Sequence, residues 1–338
     1  MTELEALEQE LLKPSEALIS DISKIEGDII LLGVGGKMGP SMAKLARKAI
    51  VRAGIDKRII GISRFSEAGT REELEADGIE TISADLLNEK DLAALPEAKN
   101  IIYLAGTKFG TTGKEPFTWA MNSYLPGRVA ERYKNSRIVA FSTGNIYPFT
   151  PINSGGLSEE HLPAPVGEYG QSCLGRERVF QYFSERYSIP TLIYRLNYAI
   201  DLRYGVMLEI AKSVNEGRSI DLTTGNVNVI WQGDANEIAI RSLLHCDVPA
   251  NILNVTGPET LSLKWLAEQF GTLLGKEPLF ENEVQPTALL SNASKAHKLF
   301  GYPRVTVRDM IEMTVAWLHA GGKTINKPTH FQERKGQF

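Results

Sequence analysis

The amino-acid sequence predicts an α/β protein built on a doubly wound parallel sheet, with a smaller mixed lobe in its C-terminal part. Three observations support this fold class. Short, almost continuously apolar runs alternate with helical patterns through about the first 200 residues, as in parallel sheets that are covered by helices on both faces. The first of these runs ends abruptly at Gly33, directly before a helical pattern. After about residue 200 the alternation loosens.

The glycines after the first run, Gly33, Gly36 and Gly39, have the spacing of a dinucleotide-binding turn. The first permits the tight turn, the second lets the backbone approach a pyrophosphate, and the third lets the helix pack closely on the strand. The following helix offers free N–H groups and a positive dipole end to the phosphates. Lys37 and Met38 lie in the same turn and are assigned to the same site. A glycine-rich turn without a ligand is the alternative, but the strand–turn–helix context favours a Rossmann-type domain.

The remaining elements follow in order along the chain. Strands are predicted at residues 58–63, 81–86, 100–105, 137–142 and 191–196, and helices at residues 41–50, 71–76, 88–94, 117–133 and 172–187. Beyond them, helices are predicted at 207–215, 234–244, 262–274, 291–300 and 308–320, a strand–turn–strand at 221–231, and a short strand at 251–255. We therefore expect a dinucleotide-binding Rossmann domain at 27–200, a substrate lobe interleaved with the sheet at 201–325, and a tail at 326–338.

Residues 1–26 precede this domain and carry two short amphipathic helical patterns, which Pro14 separates. They either cover part of the fold or contact another subunit, and a solvated arm is the alternative.

The composition excludes several classes of protein. A net charge of −4 over 338 residues gives no electrostatic basis for binding nucleic acid or an anionic membrane. No apolar run approaches the roughly 20 residues of a membrane span. Two cysteines form no disulfide framework, and the five histidines lack metal-ligand spacing. We expect a cytoplasmic protein without a metal site and with a small-molecule substrate.

Ligands of parallel sheets bind beyond the carboxyl ends of the strands, so the residues at those ends bear on cofactor choice. NAD-binding proteins usually place an acidic residue after the second strand, but this chain has Ser63 and Arg64 there. Arg64 would pair with a 2′-phosphate and Ser63 would hydrogen-bond it, which favours NADP over NAD. A solvated surface arginine is the alternative. Asp85 and Leu86, after the third strand, would meet the adenine, unless Asp85 caps the next helix.

Taken together, the motifs resemble the extended short-chain dehydrogenases/reductases of the NAD-dependent epimerase/dehydratase family. The resemblance covers roughly residues 28–320. Its elements are the glycine turn, Asp85-Leu86, Leu104-Ala105-Gly106, Asn122, Thr143 before Ile146-Tyr147-Pro148, Tyr169, Arg195-Leu196-Asn197-Tyr198-Ala199, Gln232-Gly233-Asp234-Ala235, Asn254-Val255-Thr256-Gly257 and Ser294-Lys295-Ala296. The resemblance implies that Leu104, Ala105, Gly106 and Asn122 contact the cofactor.

The family's active site joins a Ser/Thr to a tyrosine and a lysine four residues apart on one helix face. By resemblance, Tyr169 moves the proton and Thr143 holds the reacting oxygen. Cys173 stands at the lysine position, and a neutral thiol gives no charge to stabilise a tyrosinate.

Three explanations of this departure stay open. Another cation replaces the lysine, with Arg176, Arg178 and Lys108 as candidates; or the fold binds dinucleotide without efficient catalysis; or the chemistry uses other groups beside Tyr169 and Thr143.

The substrate side is assigned to Lys108, Asn145, Tyr147 and Asn197. Lys108, Phe109 and residues 111–113 would form a loop over the pocket, while a packed aromatic for Tyr147 and a buried structural role for Asn197 are alternatives. Gly144 and Asn145 stand where the family's dehydratases carry a carboxylate pair, which disfavours dehydration.

The first hypothesis is therefore an NAD(P)-dependent oxidoreductase or epimerase with an atypical active site. It would act on a hydroxyl or ketone carbon of a sugar-like or other polar substrate. The second is a catalytically impaired dinucleotide-binding sensor or scaffold. The resemblance also implies a homodimer, with Phe180, Phe183 and Tyr187 either in its interface or facing the core.

Overall fold

The structure is a computed structural model, and it describes residues 2–108, 110, 112–325 and 329–337. Several sequence-based expectations therefore fall outside the described residues. These are Phe109 and Thr111 in the expected pocket loop, residues 326–328 and 338 in the expected tail, and Met1.

A seven-stranded parallel sheet forms the centre of the molecule, which confirms the predicted fold class. Its strands in chain order are β1 Ile29–Leu32, β2 Ile59–Ser63, β3 Glu80–Ser83, β4 Asn100–Tyr103, β5 Arg137–Thr143, β6 Thr191–Leu196 and β7 Asn251–Val255. Their spatial order is β7-β6-β5-β4-β1-β2-β3, and every neighbouring pair is parallel. This is the doubly wound Rossmann order, which reverses direction between β1 and β4 and leaves a crevice there.

Helices cover both faces of the sheet and build the second part of the chain. Their bounds are Glu3–Leu11, Glu16–Lys24, Gly39–Ala53, Thr70–Ala76, Glu89–Ala94, Glu115–Trp119, Leu125–Arg132, Gly167–Tyr187, Val206–Glu216, Gln232–Arg241, Leu263–Leu274, Ser294–Phe300 and Val307–His319. A π-helical turn, Ala120–Tyr124, joins two of them into one continuous element. No helix in the described ranges combines the length and the apolarity that crossing a membrane requires.

The two N-terminal helices pack on different parts of the molecule: Glu3–Leu11 places Leu11 in the core of the smaller lobe, and Glu16–Lys24 packs on the sheet domain. The second of them, Glu16–Lys24, begins at Ser15, whose hydroxyl accepts the Leu18 N–H. Leu18 and Ile22 are fully buried in the core shared with the helix that follows the glycine turn. This segment therefore covers part of the fold.

The predicted strand–turn–strand at residues 221–231 is wrong in its pairing. Short strands do form there, but they pair with other segments rather than with each other. The pairs are Ser219–Asp221 with Leu279–Glu281, Asn226–Val227 with Leu261–Ser262, and Ile230–Trp231 with Ala199–Ile200. Two-residue strands cannot bury a face as an isolated hairpin, so each one joins the segment that completes its core.

The predicted ends of several elements also shift. Helix Gly167–Tyr187 begins five residues before the predicted position at 172, so Tyr169 and Cys173 both lie in its first two turns. Helix Ser294–Phe300 begins three residues after the predicted position at 291, because Ser291 forms a bridge with Leu157.

The aromatic residues of helix Gly167–Tyr187 divide between core and surface. Phe180 is 1% exposed and meets the Tyr103 ring edge-on, with ring centroids 5.3 Å apart. Phe180 therefore faces the core, which is the second of its two predicted positions. Tyr187 is 39% exposed and stacks on Phe183 with centroids 5.7 Å apart.

The C-terminal residues 329–337 contain no helix or strand but pack against the body. Phe331 is 3% exposed and belongs to the core of the smaller lobe. The Thr329 N–H donates to Glu209 Oε2 at 3.0 Å.

Candidate active-site cleft

A cleft of about 370 Å³ opens at the carboxyl ends of β1, β4, β5 and β6. It brings together residues that are far apart in sequence. The sequence-predicted residues on its wall are Gly33, Gly36, Lys37, Met38, Gly39, Leu104, Gly106, Lys108, Thr143, Asn145, Tyr169 and Asn197. Ser63, Arg64, Asp85, Leu86, Ala105, Asn122, Tyr147 and Cys173 do not line this cleft.

The glycine turn forms one end of the cleft, and its backbone leaves little room for side chains on the protein side. Gly33 has φ +90°, and a Cβ there would lie 2.8 Å from the Ala105 backbone. A Cβ on Gly39 would lie 2.1 Å from the Val34 oxygen. A Cβ on Gly36 would have only the Gly33 oxygen within 4 Å, at 3.4 Å, so the open side of Gly36 faces the cleft. Together these glycines form a close-approach cradle of the kind that a pyrophosphate needs.

Helix Gly39–Ala53 begins at this turn without a side-chain cap, because Met38 at the N-cap forms no hydrogen bond through its side chain. Met38 and Gly39 line the cleft, so the N–H groups at this helix end, other than that missing from Pro40, are available there to bind phosphate oxygens. The residues present thus fit a dinucleotide. Lys37 lies over the Tyr204 ring, with its Nζ 3.3 Å from the ring centroid.

Ser63, at the end of β2, lies beside the turn, and Asp85 follows β3 at the next strand position. The Ser63 hydroxyl would be 2.5 Å from a Cβ on Gly35, so β2 ends in contact with the glycine turn. Arg64 is exposed and forms no hydrogen bond or ion pair with any described residue. Asp85 Oδ1 accepts the Leu87 N–H, while Asn88 caps the next helix, so the capping alternative for Asp85 is wrong.

Tyr169 stands at the other end of the cleft and is 9% exposed. Its hydroxyl is within hydrogen-bonding reach of the Thr143 side chain and of the Cys173 thiol. Burial, with the neighbouring Cys173, raises the pKa of Tyr169, while Arg176 and the Thr143 hydroxyl act in the opposite direction. Cys173 is fully buried, and burial raises the pKa of its thiol as well. At neutral pH both side chains are therefore protonated.

Arg176 is buried behind this pair, one helical turn after Cys173. Its Nη1 donates to the Phe141 carbonyl at 2.8 Å and its Nη2 to Asn122 Oδ1 at 2.6 Å. A Cβ on Gly106 would lie only 2.3 Å from Nη2, which places the guanidinium directly beneath the cleft wall.

Asn122 holds that guanidinium in place. Its side chain also accepts the Thr107 N–H at 3.0 Å and donates to the Thr107 carbonyl at 2.9 Å. Because Asn122 is fully buried and its amide is occupied in this way, it positions Arg176 and Thr107, while its contact with the cofactor stays a prediction. Its location in the π-helical turn provides the close approach to Arg176.

The two other candidate cations differ from Arg176. Arg178 is exposed and donates to Gln181, so it points away from the cleft. Lys108 lies with its Nζ 5.7 Å from the centroid of the Tyr169 ring. Burial lowers the pKa of Lys108 to about 8.

Two residues assigned to substrate have other partners. The Tyr147 hydroxyl donates to Ser158 O or Asn254 Oδ1 and accepts Arg195 Nη1 at 2.6 Å, which favours the packed-aromatic alternative, while its contact with substrate stays a prediction. Asn197 is 2% exposed and donates to Asn228 Oδ1 at 2.7 Å, in agreement with its structural alternative.

The cleft also contains residues that the sequence did not single out. They are Phe141, Ser142, Tyr204, Gly205, Val206 and Thr329, whereas Leu196, Tyr198, Ala199 and Gln232 were quoted only within motifs. Nothing in the local pattern marks Tyr204 or Thr329, because their position depends on the lobe folding back over the sheet. The described residues contain no group of three or more His, Cys, Asp or Glu side chains that could hold a metal ion.

Comparisons with known proteins add the fold-level context. No family model matches the chain, and no curated protein matches it either. Solved structures do match. UDP-glucuronic acid 4-epimerase from Bacillus cereus with NAD has a TM-score of 0.73 at 20% identity, over 87% of this chain and 98% of that one.

Two UDP-glucose 4-epimerases are also similar. The enzyme from Thermotoga maritima with UDP-glucose has a TM-score of 0.70 at 15% identity, over 87% of this chain and 99% of that one. The enzyme from Thermus thermophilus with NAD has a TM-score of 0.69 at 18% identity, over 85% and 97%. At these identities the likeness establishes the Rossmann-like fold, shared over nearly the whole length of each relative.

Proposed function

We propose that the chain is an NADP-dependent oxidoreductase or epimerase of the extended short-chain dehydrogenase type. The observation that carries this proposal is one continuous cleft with the glycine cradle at one end and Tyr169 with Thr143 at the other. A bound nicotinamide cofactor supplies or accepts a hydride at a carbon. Structural relatives in complex with UDP-glucuronic acid and with UDP-glucose favour a sugar-like hydroxyl or ketone carbon.

The protein side of the reaction is a proton transfer at the Tyr169 hydroxyl. In the reductive direction Tyr169 gives its proton to the oxygen of the ketone, which becomes a hydroxyl; in the oxidative direction the tyrosinate takes that proton back. Thr143 holds the same oxygen by a hydrogen bond. Because burial keeps Tyr169 protonated at neutral pH, the side chain is prepared for proton donation.

Arg176 supplies the positive charge that the family obtains from its lysine. Its guanidinium lies beneath the cleft wall and lowers the pKa of Tyr169, against the effect of burial. An arginine stays protonated at every working pH, so it stabilises the tyrosinate without titrating itself. Cys173 then needs only to fill the space beside Tyr169.

The preference for NADP rests on the end of β2. Arg64 is exposed there without a described partner, and Ser63 touches the glycine turn. A guanidinium binds a phosphate with two parallel hydrogen bonds, whereas it gains little from a ribose hydroxyl.

The first experiment is calorimetric titration of the protein with NADPH and with NADH. We expect tighter binding of NADPH, and in Arg64→Ala a loss of about 10-fold for NADPH with NADH unchanged, since one charge-assisted phosphate contact is removed. Arg308→Ala is the matched control, because Arg308 is an exposed arginine on the smaller lobe. Equal affinities for the two cofactors in the wild type would remove the NADP preference, and binding of neither would remove the proposed function.

The sensor or scaffold function is favoured by one observation: burial and Cys173 both raise the pKa of Tyr169, which leaves little tyrosinate to accept a proton at neutral pH. Tyr169→Phe separates the two functions. An enzyme loses turnover on any active substrate by about 100-fold or more while cofactor binding persists, since one general acid–base group is removed. A sensor retains its cofactor affinity and has no turnover to lose.

The proposed assembly is a homodimer through helices Glu115–Trp119 and Gly167–Tyr187. Tyr182 is 56% exposed and Tyr187 is 39% exposed on the second helix, and Trp119 is 39% exposed on the first. Exposed aromatic residues on two packed helices are typical of subunit interfaces. Light scattering after size exclusion should give twice the 37.3 kDa chain mass, and a monomer at micromolar concentration would contradict the assembly.

A further inference from the structure

The C-terminal residues 329–337, here called the C-terminal strap, connect the smaller lobe to the sheet domain. At one end Thr329 binds Glu209 of the lobe. At the other end the backbone of Gly336 lies against Gly167, the first residue of the Tyr169 helix. A Cβ on Gly167 would come within 2.4 Å of the Gly336 oxygen, so the two backbones are in direct contact.

A small cavity of about 20 Å³ lies beneath the strap. It shares Lys108, Asn145 and Tyr198 with the main cleft, so it adjoins the space next to Tyr169. A water molecule needs roughly 10–15 Å³ of such space, so the cavity accepts a small polar group and no ring system. A nucleoside diphosphate attached to the substrate could not pass through it while the strap is in place.

Arg334 of the strap lines this cavity and is only partly exposed. Two of its five N–H donors bind Thr287, with Nη1 on the carbonyl at 2.8 Å and Nη2 on Oγ1 at 2.6 Å. Its guanidinium lies 4.0 Å from the centroid of the Phe149 ring. Within the described part of the chain these partners are all neutral, and no carboxylate forms an ion pair with Arg334.

The other charged groups of the cavity leave a net positive charge. Lys108 adds a second cation from the main cleft, and burial lowers its pKa to about 8, so it is protonated at neutral pH. Glu333 also lines the cavity, but one of its carboxylate oxygens accepts the Lys335 N–H of the strap itself. Apart from the imidazole of His330, the charged side chains that line the cavity are therefore two cations, Arg334 and Lys108, and one anion, Glu333.

We propose that this cavity is the carboxylate subsite for a compact hydroxy acid, such as a sugar acid that carries no nucleotide. Arg334 and Lys108 bind the carboxylate, and the hydroxyl-bearing carbon then lies in the main cleft beside Tyr169. The C-terminal strap closes the far side of the site and restricts the substrate to a few carbon atoms. This inference rests on the proposed function, because it assigns the substrate class of that same cleft.

The test is calorimetric titration of the full chain with sodium D-glucuronate, D-glucose and UDP-glucuronic acid, each with and without saturating NADPH. We expect D-glucuronate to bind at least about 10-fold more tightly than D-glucose, and UDP-glucuronic acid not to bind. Arg334→Gln should remove the preference for the acid. Lys335→Gln should retain it, because Lys335 is the exposed neighbour of the same charge on the same strap.

The outcomes separate this inference from the proposed function. An Arg334-dependent preference for the acid in a protein that binds no cofactor supports the subsite and contradicts the proposed function. A second outcome contradicts the subsite alone. In it the protein binds cofactor and binds UDP-glucuronic acid tightly, but it shows no preference between D-glucuronate and D-glucose. If Arg334→Gln and Lys335→Gln lost the preference for D-glucuronate to the same extent, the preference would come from the overall charge of the strap, and the proposed subsite would be overturned.

Discussion

The glycine turn and the Tyr169 corner lie at opposite ends of one cleft, but they are built in different ways. The glycine turn is local: Gly33 to Gly39 and the start of one helix supply the whole cradle through their backbone. The Tyr169 corner is assembled from side chains of distant segments, namely Thr143 after β5, Tyr169 and Arg176 on one helix, and Lys108 after β4.

This difference explains why one region keeps its sequence pattern and the other departs from it. Backbone contact with a phosphate tolerates no side chain at a close-packed glycine, because the clash is with other backbone atoms. A positive charge near a tyrosine can come from any element that reaches it, because a Coulomb interaction depends on distance and burial rather than on one attachment point. In the proposed function, Arg176 therefore takes the part of a lysine at position 173.

The largest effect is expected at the glycine turn. Gly33→Ala places a Cβ 2.8 Å from the Ala105 backbone at φ +90°, so we expect a loss of about 2–4 kcal/mol in the free energy of unfolding. Cofactor binding should become undetectable, since the turn moves away from its phosphate-binding position. Denaturant unfolding and calorimetric titration with NADPH measure the two effects.

Gly54→Ala is the control for this variant, because Gly54 has φ +64° and a Cβ added there would meet no atom within 4 Å. We expect Gly54→Ala to cost about 1 kcal/mol from backbone strain, with cofactor affinity unchanged. If Gly33→Ala behaved like Gly54→Ala in both measurements, the close-packed cradle would not be the cofactor site.

The same contrast limits what the sequence could predict. The central sheet, its order of elements and the glycine cradle follow from apolar runs and glycine spacing, because those signals are local in the chain. Arg176 could be named as a candidate, but its selection over Arg178 depends on Asn122, 54 residues away, in a π-helical turn. The C-terminal strap gave no periodic signal, since Phe331 and Arg334 act singly against different parts of the body.

The second effect concerns the charge behind Tyr169. Arg176→Met should lower turnover by about 100-fold, as for the loss of one buried electrostatic contact to a catalytic group. Because Arg176 lowers the pKa of Tyr169, its removal raises that pKa. In the oxidative direction the rate increases as Tyr169 deprotonates, so this increase should move to higher pH in the variant. A pH–rate profile measures the shift.

Arg176→Lys keeps the charge and serves as the conservative variant, while Arg178→Gln removes an exposed arginine from the same helix. We expect Arg176→Lys to retain turnover within about 10-fold and a pH profile close to the wild type, since most of the Coulomb interaction is preserved. An unchanged pH profile in a folded Arg176→Met protein would mean that another group, with Lys108 as the first candidate, stabilises the tyrosinate.

The smallest effect is expected from Cys173→Lys, which tests whether a lysine at position 173 can supply the positive charge beside Tyr169. In the wild type, Cys173→Lys would put a second buried cation one helical turn from Arg176, so turnover should stay within about threefold of wild type or fall. In the Arg176→Met background the same substitution should raise turnover by about 10-fold, because the charge then returns from the family's own position. Cys173→Met in that background is the neutral control and should not recover activity. A large gain from Cys173→Lys alone would instead identify the Tyr169 corner as an impaired form of the family's site, in which Arg176 only supports the fold through Asn122 and the Phe141 carbonyl.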